Sequence, residues 1–280
     1  HKGLIKLSGT DIIFNTKITD INSIQQVRII PLNNKQYKIE VVYNKIEDTK
    51  VLDNGLYCGI DLGLNNLFAV AFNDKSLTNL LVNGKPLKSI NQYYNKEKSK
   101  IQHDLEIKNK KKTSKKLQSL TNKRNNKVMD YVHKSTKLLV DKLKQANISK
   151  VIIGKNDNWK TDINIGDKNN QNFVSLPQAQ AIDILTYKLQ LKGIEVICRE
   201  ESYTSKCSSI DLEPIKKHDK YVGKRVKRGL FISKNNIKIN ADINGGANIL
   251  RKEIPTAYVN GIEGLVVNPI QLEITYKTKL

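Results

Sequence analysis

No apolar run in this sequence approaches the ~18 residues that a membrane span needs, and no secretory signal is visible in it. Cysteine is scarce: Cys58, Cys198 and Cys207 are three in number and widely spaced. That argues against a disulfide framework and for a reducing compartment, so a cytoplasmic protein is expected, nucleoid-associated if bacterial. Methionine occurs once, at Met129, and the chain opens HKGLIKLSG, as expected of a fragment or a processed chain with more sequence upstream. Acidic residues are also in deficit, 27 against 48 Lys and Arg, for a net charge of +21 over 280 residues. Such an excess on a chain long enough to bury a core points to a polyanionic partner, because neutralising each phosphate releases counterions. A basic ribosomal or merely solvated surface is the plainer alternative that charge alone does not separate.

The charge is not spread evenly. Residues 91–145 read as long basic helices, with 16 Lys and Arg against 5 acids. Within them Val128, Val132, Leu139 and Leu143 recur at helical spacing, an apolar stripe under a cationic face. A second basic stretch runs from Lys216 to Lys234, eight cations against Asp219 alone, inside a segment, 204–236, that reads as loop. Before these, residues 1–50 alternate apolar and polar positions and predict short antiparallel strands. YCGIDLGLNNLFAVAFN, from Tyr57, predicts a β-hairpin opening a mixed sheet. KVIIG (150–154) reads as a buried strand. SLPQAQAIDILTYKLQLKG predicts a helix with Ser175 as cap, Pro177 in the first turn, Ile182, Leu185 and Leu189 inward, and Gly193 as its stop. IEVICRE is the next strand, so strand, helix and strand form a right-handed parallel crossover. INADINGGANILRK is a turn entering a helix.

Hydrolysis of a phosphodiester by paired metals needs two or three carboxylates converging on the ions, and hard Mg²⁺ prefers oxygen ligands. Asp61 stands out because it lies within an apolar run, where a lone carboxylate is costly unless a metal or partner meets it; a turn-capping role before Gly63 is the structural alternative. Asp242 precedes Gly-Gly at a helix start, where capping alone would account for it. Cys58 and Cys198, both in apolar strands, read as core residues. His218 reads as a surface residue of the basic loop.

GIDLGLNN followed much later by INADINGGANILRK resembles the first and third RuvC motifs of the transposon-encoded TnpB family, relatives of type V CRISPR nucleases. The block INQYYNKEKSK to KRNNKVMDYVHKSTK resembles that family's helical insertion, and ESYTSK its next characteristic stretch. The resemblance covers nearly the whole chain. It implies an α/β, ribonuclease H-like (RuvC) mixed sheet, and an RNA-guided, Mg²⁺- or Mn²⁺-dependent DNA endonuclease whose partners are a guide RNA and target DNA. It further implies that 1–50 ends a wedge-like β-barrel, 51–90, 148–203 and 237–280 are RuvC parts (the last with a C-terminal tail), 91–147 is the basic insertion, and 204–236 a basic loop where the family carries a zinc ribbon. Two departures stand out. The family's second motif ends in a catalytic Glu, where this chain has Gly154. Only Cys207 remains where four zinc cysteines stand in the family, so no zinc is expected.

In the fold so implied, the strand bearing Asp61 lies beside KVIIG, and IEVICRE lies beyond it. Glu201, or failing that Glu200, is therefore expected to reach over Gly154 and complete a metal set of Asp61, Glu201 and Asp242. Successive strand residues face opposite ways, so only one of the two glutamates can serve. The expected contacts to nucleic acid are Lys110, Lys111, Lys112, Lys115, Lys116, Lys123 and Arg124 in the helices, and Lys216, Lys217, Lys224, Arg225, Lys227 and Arg228 in the loop. A nuclease-dead RNA-guided repressor and a structural RNA-binding protein are the alternatives.

Overall fold

The computed structural model describes residues 3–32, 36–109, 112–156, 178–258 and 268–274. Strands β1 (Gly3–Lys6) and β2 (Ile13–Thr16) form one antiparallel hairpin, and β3 (Ile24–Pro31) and β4 (Tyr37–Tyr43) another. These match the alternation read in residues 1–50. Among the described residues, both remain separate two-stranded sheets and leave Leu4, Ile13, Ile29 and Tyr37 exposed.

The centre of the molecule is a six-stranded mixed sheet. β5 (Tyr57–Leu62), β6 (Asn66–Phe72) and β7 (Leu80–Asn83) run as an antiparallel meander. The next two elements are the long helices α1 (Lys85–Asn109) and α2 (Lys115–Gln145), the latter capped by Ser114, whose side chain accepts from the Leu117 amide. β8 (Lys150–Lys155) then pairs parallel with β5. Helix α3 (Gln178–Gln190) leads to β9 (Glu195–Glu200), which pairs parallel with β8. The α3 stop is at Gly193, in the left-handed region at φ 74°. The expected cap Ser175 and first-turn Pro177 lie outside the described residues. Helix α4 (Ala241–Glu253) follows the basic segment, and β13 (Ile270–Leu272) adds a parallel edge strand beside β7. Sheet order is β13-β7-β6-β5-β8-β9.

Alternation along the strands sorts the core into two layers. Cys58, Ile60, Leu62, Val70, Val151 and Ile153 face α2 and α3, where the predicted stripe Val128, Val132, Leu139 and Leu143 is buried together with Ile182, Leu185 and Leu189. Ala69, Ala71 and Ile152 face α4 and pack with Ile243, Ala247, Ile249 and Leu250. The residues of β5 that point to this second layer are Tyr57, Gly59 and Asp61. A Cβ at Gly59 would run into the Gly246 carbonyl and come within 2.8 Å of the Leu250 amide, both backbone atoms that cannot swing aside. Helix α4 thus lies directly on β5. Gly59→Ala is expected to cost about 3 kcal/mol or more, at the upper end of overpacking, measurable as a lowered denaturation midpoint.

Two expectations need correction. Residues 204–236 are not plain loop: β10 (Lys224–Lys227), β11 (Leu230–Ile232) and β12 (Lys238–Ile239) make a small antiparallel sheet, with the Arg228-Gly229 turn between the first two. Cys198 is exposed, because β9 is the sheet's edge and its second half loses cover; Cys58 is buried as expected.

Between α2 and α3, Lys188 donates from Nζ to the His133 carbonyl and to Thr136 Oγ1, each at 2.7 Å. Burial, and then the neighbouring Lys137, push its pKa down from 10.5 to about 8. Between those two values the unfolded chain holds the proton more tightly than the folded one, so stability rises with pH across that window. Lys188→Met should flatten this rise, read as the difference between wild-type and variant denaturation curves at either end of the window.

Candidate active site

The three parallel strands β5, β8 and β9 end on one edge of the sheet, and the acids singled out from the sequence gather there. Asp61 sits in β5 opposite Ala69, a strand position rather than a turn cap. Asp242 lies in the first turn of α4, and the capping is done by Asn240, whose side chain accepts from the amides of Asp242 and Ile243. Both structural alternatives for the two aspartates therefore fall away.

Glu201 follows β9 directly. Its Oε2 is buried and lies 3.0 Å from where a Cβ on Gly154 would stand. Glu200 points elsewhere: its carboxylate accepts from the Ser202 amide at 2.7 Å, from the Ser202 hydroxyl, and from Lys252 Nζ at 2.9 Å. Lys252 also donates to the Glu200 carbonyl, and Arg199 pairs with Glu253, so two ion pairs tie the end of β9 to the end of α4.

The three carboxylates feel one another. Burial first, and then the charges of Glu201 and Asp242, push the Asp61 carboxyl well above the usual range; Arg225 and the Leu62 amide pull it partly back. Asp61 Oδ2 would be 2.6 Å from a Cβ at Gly245, so Gly245 on α4 and Gly154 on β8 keep open the spaces that two of the acids fill. Asp242 is held from both sides. Asn66 Nδ2 donates to its Oδ2 at 2.8 Å, and Arg225 Nη2 meets its Oδ1 at 3.2 Å. As these side chains stand, no three Asp, Glu, His or Cys groups among the described residues are close enough together to hold an ion. The donor set, all carboxylate oxygen around glycine-lined space, suits a hard divalent cation.

Asn66 and the glycines Gly59, Gly154, Gly245 and Gly246 belong to this site's architecture, and sequence reasoning assigned a part only to Gly154. The signal for Asn66 was its place in GIDLGLNN, within the first motif. Of the expected nucleic-acid contacts, Lys112, Lys115, Lys116 and Lys123 are exposed at the α1–α2 end, and Lys216, Lys217, Lys224, Lys227 and Arg228 are exposed in the basic segment. Lys110 and Lys111 lie outside the described residues. Arg124 is half-buried, donating to Asn91 and Asn125 and lying 5.5 Å from the Tyr94 ring centroid, so it braces α1 against α2. Behind the site the basic segment is anchored by hydrogen bonds. Glu213 is buried and accepts from the Ser208 and Val222 amides, Asn244 reaches Ser209 and Cys207, and Cys207 Sγ donates to the Pro214 carbonyl.

A family model described as a probable transposase, OrfB_IS605, matches residues 36–160, and one described as Cas12f1-like, TNB domain, matches residues 179–249. Over these two stretches the chain is similar to those two families. No curated protein matches the sequence. Among solved structures, this chain is similar to one in a CRISPR-Cas12f ternary complex, with 17% identity and a TM-score of 0.53, over 80% of this chain and 44% of the other. A Cas12f1–sgRNA–target DNA complex also matches, with 17% identity and a TM-score of 0.49, over 80% and 55% of the two chains. A mini-RNA-guided endonuclease, CRISPR-Cas_phi3, gives 12%, 0.40, 77% and 46%. The first likeness establishes the fold, and the ribonuclease H-like mixed sheet expected from the motifs holds. The chain spans less than half the length of that first structure's chain. Among the described residues, no helix is long and apolar enough to cross a membrane.

Proposed function

We propose that this chain is the nuclease-bearing portion of an RNA-guided, divalent-metal-dependent DNA endonuclease of transposon origin. The observation that carries this reading is the placement of Asp61, Glu201 and Asp242 at the ends of β5 and β9 and the start of α4, with Glu201 Oε2 over Gly154 and Asp61 Oδ2 against Gly245. Asp61, Glu201 and Asp242 would hold Mg²⁺ or Mn²⁺, which when bound activates water and neutralises phosphate charge. The chain's own residues do the rest. Asp61 is fixed by its strand and Glu201 by the tie between β9 and α4. Asn66 orients Asp242, and Arg225 offers a guanidinium that can leave Asp242 for an incoming phosphate, a bidentate exchange that Arg favours. On this reading residues 1–50 end a wedge-like barrel, and the exposed lysines of α2 and of residues 216–228 track guide RNA and target DNA.

A second reading, a nuclease-dead RNA-guided DNA-binding repressor, is favoured by Gly154 standing in place of a Glu and by Arg225 occupying Asp242. One experiment separates the two. The RNA-loaded protein, completed by the rest of its chain, should linearise a target plasmid in Mg²⁺ and spare it in chelator, whereas guide-directed binding with no cut selects the repressor. In either case affinity should fall steeply with salt, the logarithm of the binding constant dropping linearly with the logarithm of salt concentration. A salt-independent affinity would remove nucleic acid from the proposal.

A further inference from the structure

The turn that follows Glu201 contains a backbone conformation its residue does not favour. Four non-glycine residues among those described have positive φ: Asn147, Tyr203, Leu212 and Asn236. Asparagine tolerates the left-handed region through its short amide, but a bulky aromatic residue there is an outlier. Tyr203 stands at φ 65°, and the surrounding hydrogen bonds hold it there. The Thr204 hydroxyl and amide both donate to the Glu201 carbonyl, the Lys206 and Cys207 amides donate to the Tyr203 carbonyl, and Asn248 of α4 clasps the Thr204 carbonyl at 2.8 Å. Thr204 is buried beneath the turn while Tyr203 is 38% exposed. Strain of this kind persists only where the surrounding structure over-determines it, and it clusters at active sites and ligand clamps. Asparagine or glycine would satisfy the backbone at less cost, so the ring itself is what the turn retains.

The ring's setting indicates what it meets. It lies two residues beyond Glu201 in a turn whose other outward side chains include Ser205 and Lys206, both exposed hydrogen-bond donors. Lys252 already neutralises Glu200 at the base of the turn. An exposed aromatic ring flanked by a hydroxyl and a cation is the composition of a single-strand subsite, one face for a base and donors for the phosphates beside it. We infer that Tyr203 stacks on an unpaired nucleobase of the DNA strand entering the acid cluster, and so fixes which phosphate reaches it. This rests on the nuclease reading for its choice of strand, but not for the stacking.

The test is a binding measurement that needs no cleavage. A short single-stranded DNA with 2-aminopurine in place of adenine is titrated with the protein in chelator, alongside an RNA of the same sequence. Stacking on Tyr203 should quench the fluorescence. Tyr203→Asn should restore it and weaken binding roughly ten-fold, as expected for loss of one base stack, while Tyr203→Trp should keep both quench and affinity. The same Tyr203→Asn change should leave the melting temperature equal or higher, since it relieves the strain. A ring that serves only the fold predicts the reverse, a lower melting temperature with unaltered quenching, and that result overturns the inference. Quenching of the RNA alone overturns the placement on the DNA strand. Loss of cleavage activity in every form of the protein, with the quench intact, would fault the nuclease reading and leave the stacking site standing.

Discussion

Asp61→Asn is expected to lower metal-dependent DNA cleavage by at least about a hundred-fold, the scale of losing one preorganised charged group from a reaction centre, while making the metal-free protein more stable. The two effects have one cause. Asp61 lies among apolar strand residues, with Gly245 giving it room and two further carboxylates close by, so burial and repulsion both oppose its charge. Arg225 offsets only part of this. Asparagine keeps the shape, still fits the space beside Gly245, and removes the repelled charge. For a chain of this size each kcal/mol recovered should raise the melting temperature by about 2–4 °C. Adding Mn²⁺ should stabilise the wild type by mass action and leave the variant nearly unmoved. Calorimetry with and without Mn²⁺, beside a cleavage assay, reads all of this. A variant that melts lower in chelator would mean that the Asp61 charge serves the fold, and undiminished cleavage would remove it from the site.

How far the sequence reveals this molecule depends on whether a residue's neighbours are set by local pattern or by distant chain. The hairpin at β5–β6, the α2 stripe and the parallel β8–β9 pair were legible because apolar periodicity dictates each. So was the Asp61–Asp242 pairing, through the two motifs that carry them. β10 and β11 were not: all four residues of β10 are exposed, so no alternation marks it, and only Arg228-Gly229 hints at a turn. Cys198 was misjudged because an apolar run looks the same in an edge strand as in a central one. The Arg225–Asp242 contact spans 17 residues and forms only once that hairpin folds back on α4. β13 has three residues, and nothing short of the completed edge at β7 predicts that they pair.

The proposal that Glu201 supplies the third carboxylate yields the sharpest expected result: Glu201→Gln should cut cleavage about a hundred-fold, and Glu200→Gln far less. Glu200 spends its carboxylate on Ser202 and Lys252 at the rim of the sheet. Losing it should loosen the tie to α4, an exposed ion pair whose direct worth is about 1 kcal/mol or less. Glu201 extends across β8, over a residue with no side chain, toward an aspartate two strands away, a span of roughly 10 Å between strand axes. Length is therefore essential, and Glu201→Asp should fail nearly as badly as Gln although it keeps the charge. Gly154 is the other half of the arrangement. An alanine Cβ there would stand 2.5 Å from Ile249 Cδ1 and 3.0 Å from Glu201 Oε2, so Gly154→Ala must push one of them aside. It should cost about 1–3 kcal/mol in stability and lower cleavage by displacing Glu201. Cleavage rates for the four variants, set beside their denaturation midpoints, decide the matter. If Glu201→Gln cuts at the wild-type rate, or if Glu200→Gln is the more damaging of the pair, the third carboxylate is not Glu201, and the repressor reading gains the ground that the nuclease reading loses.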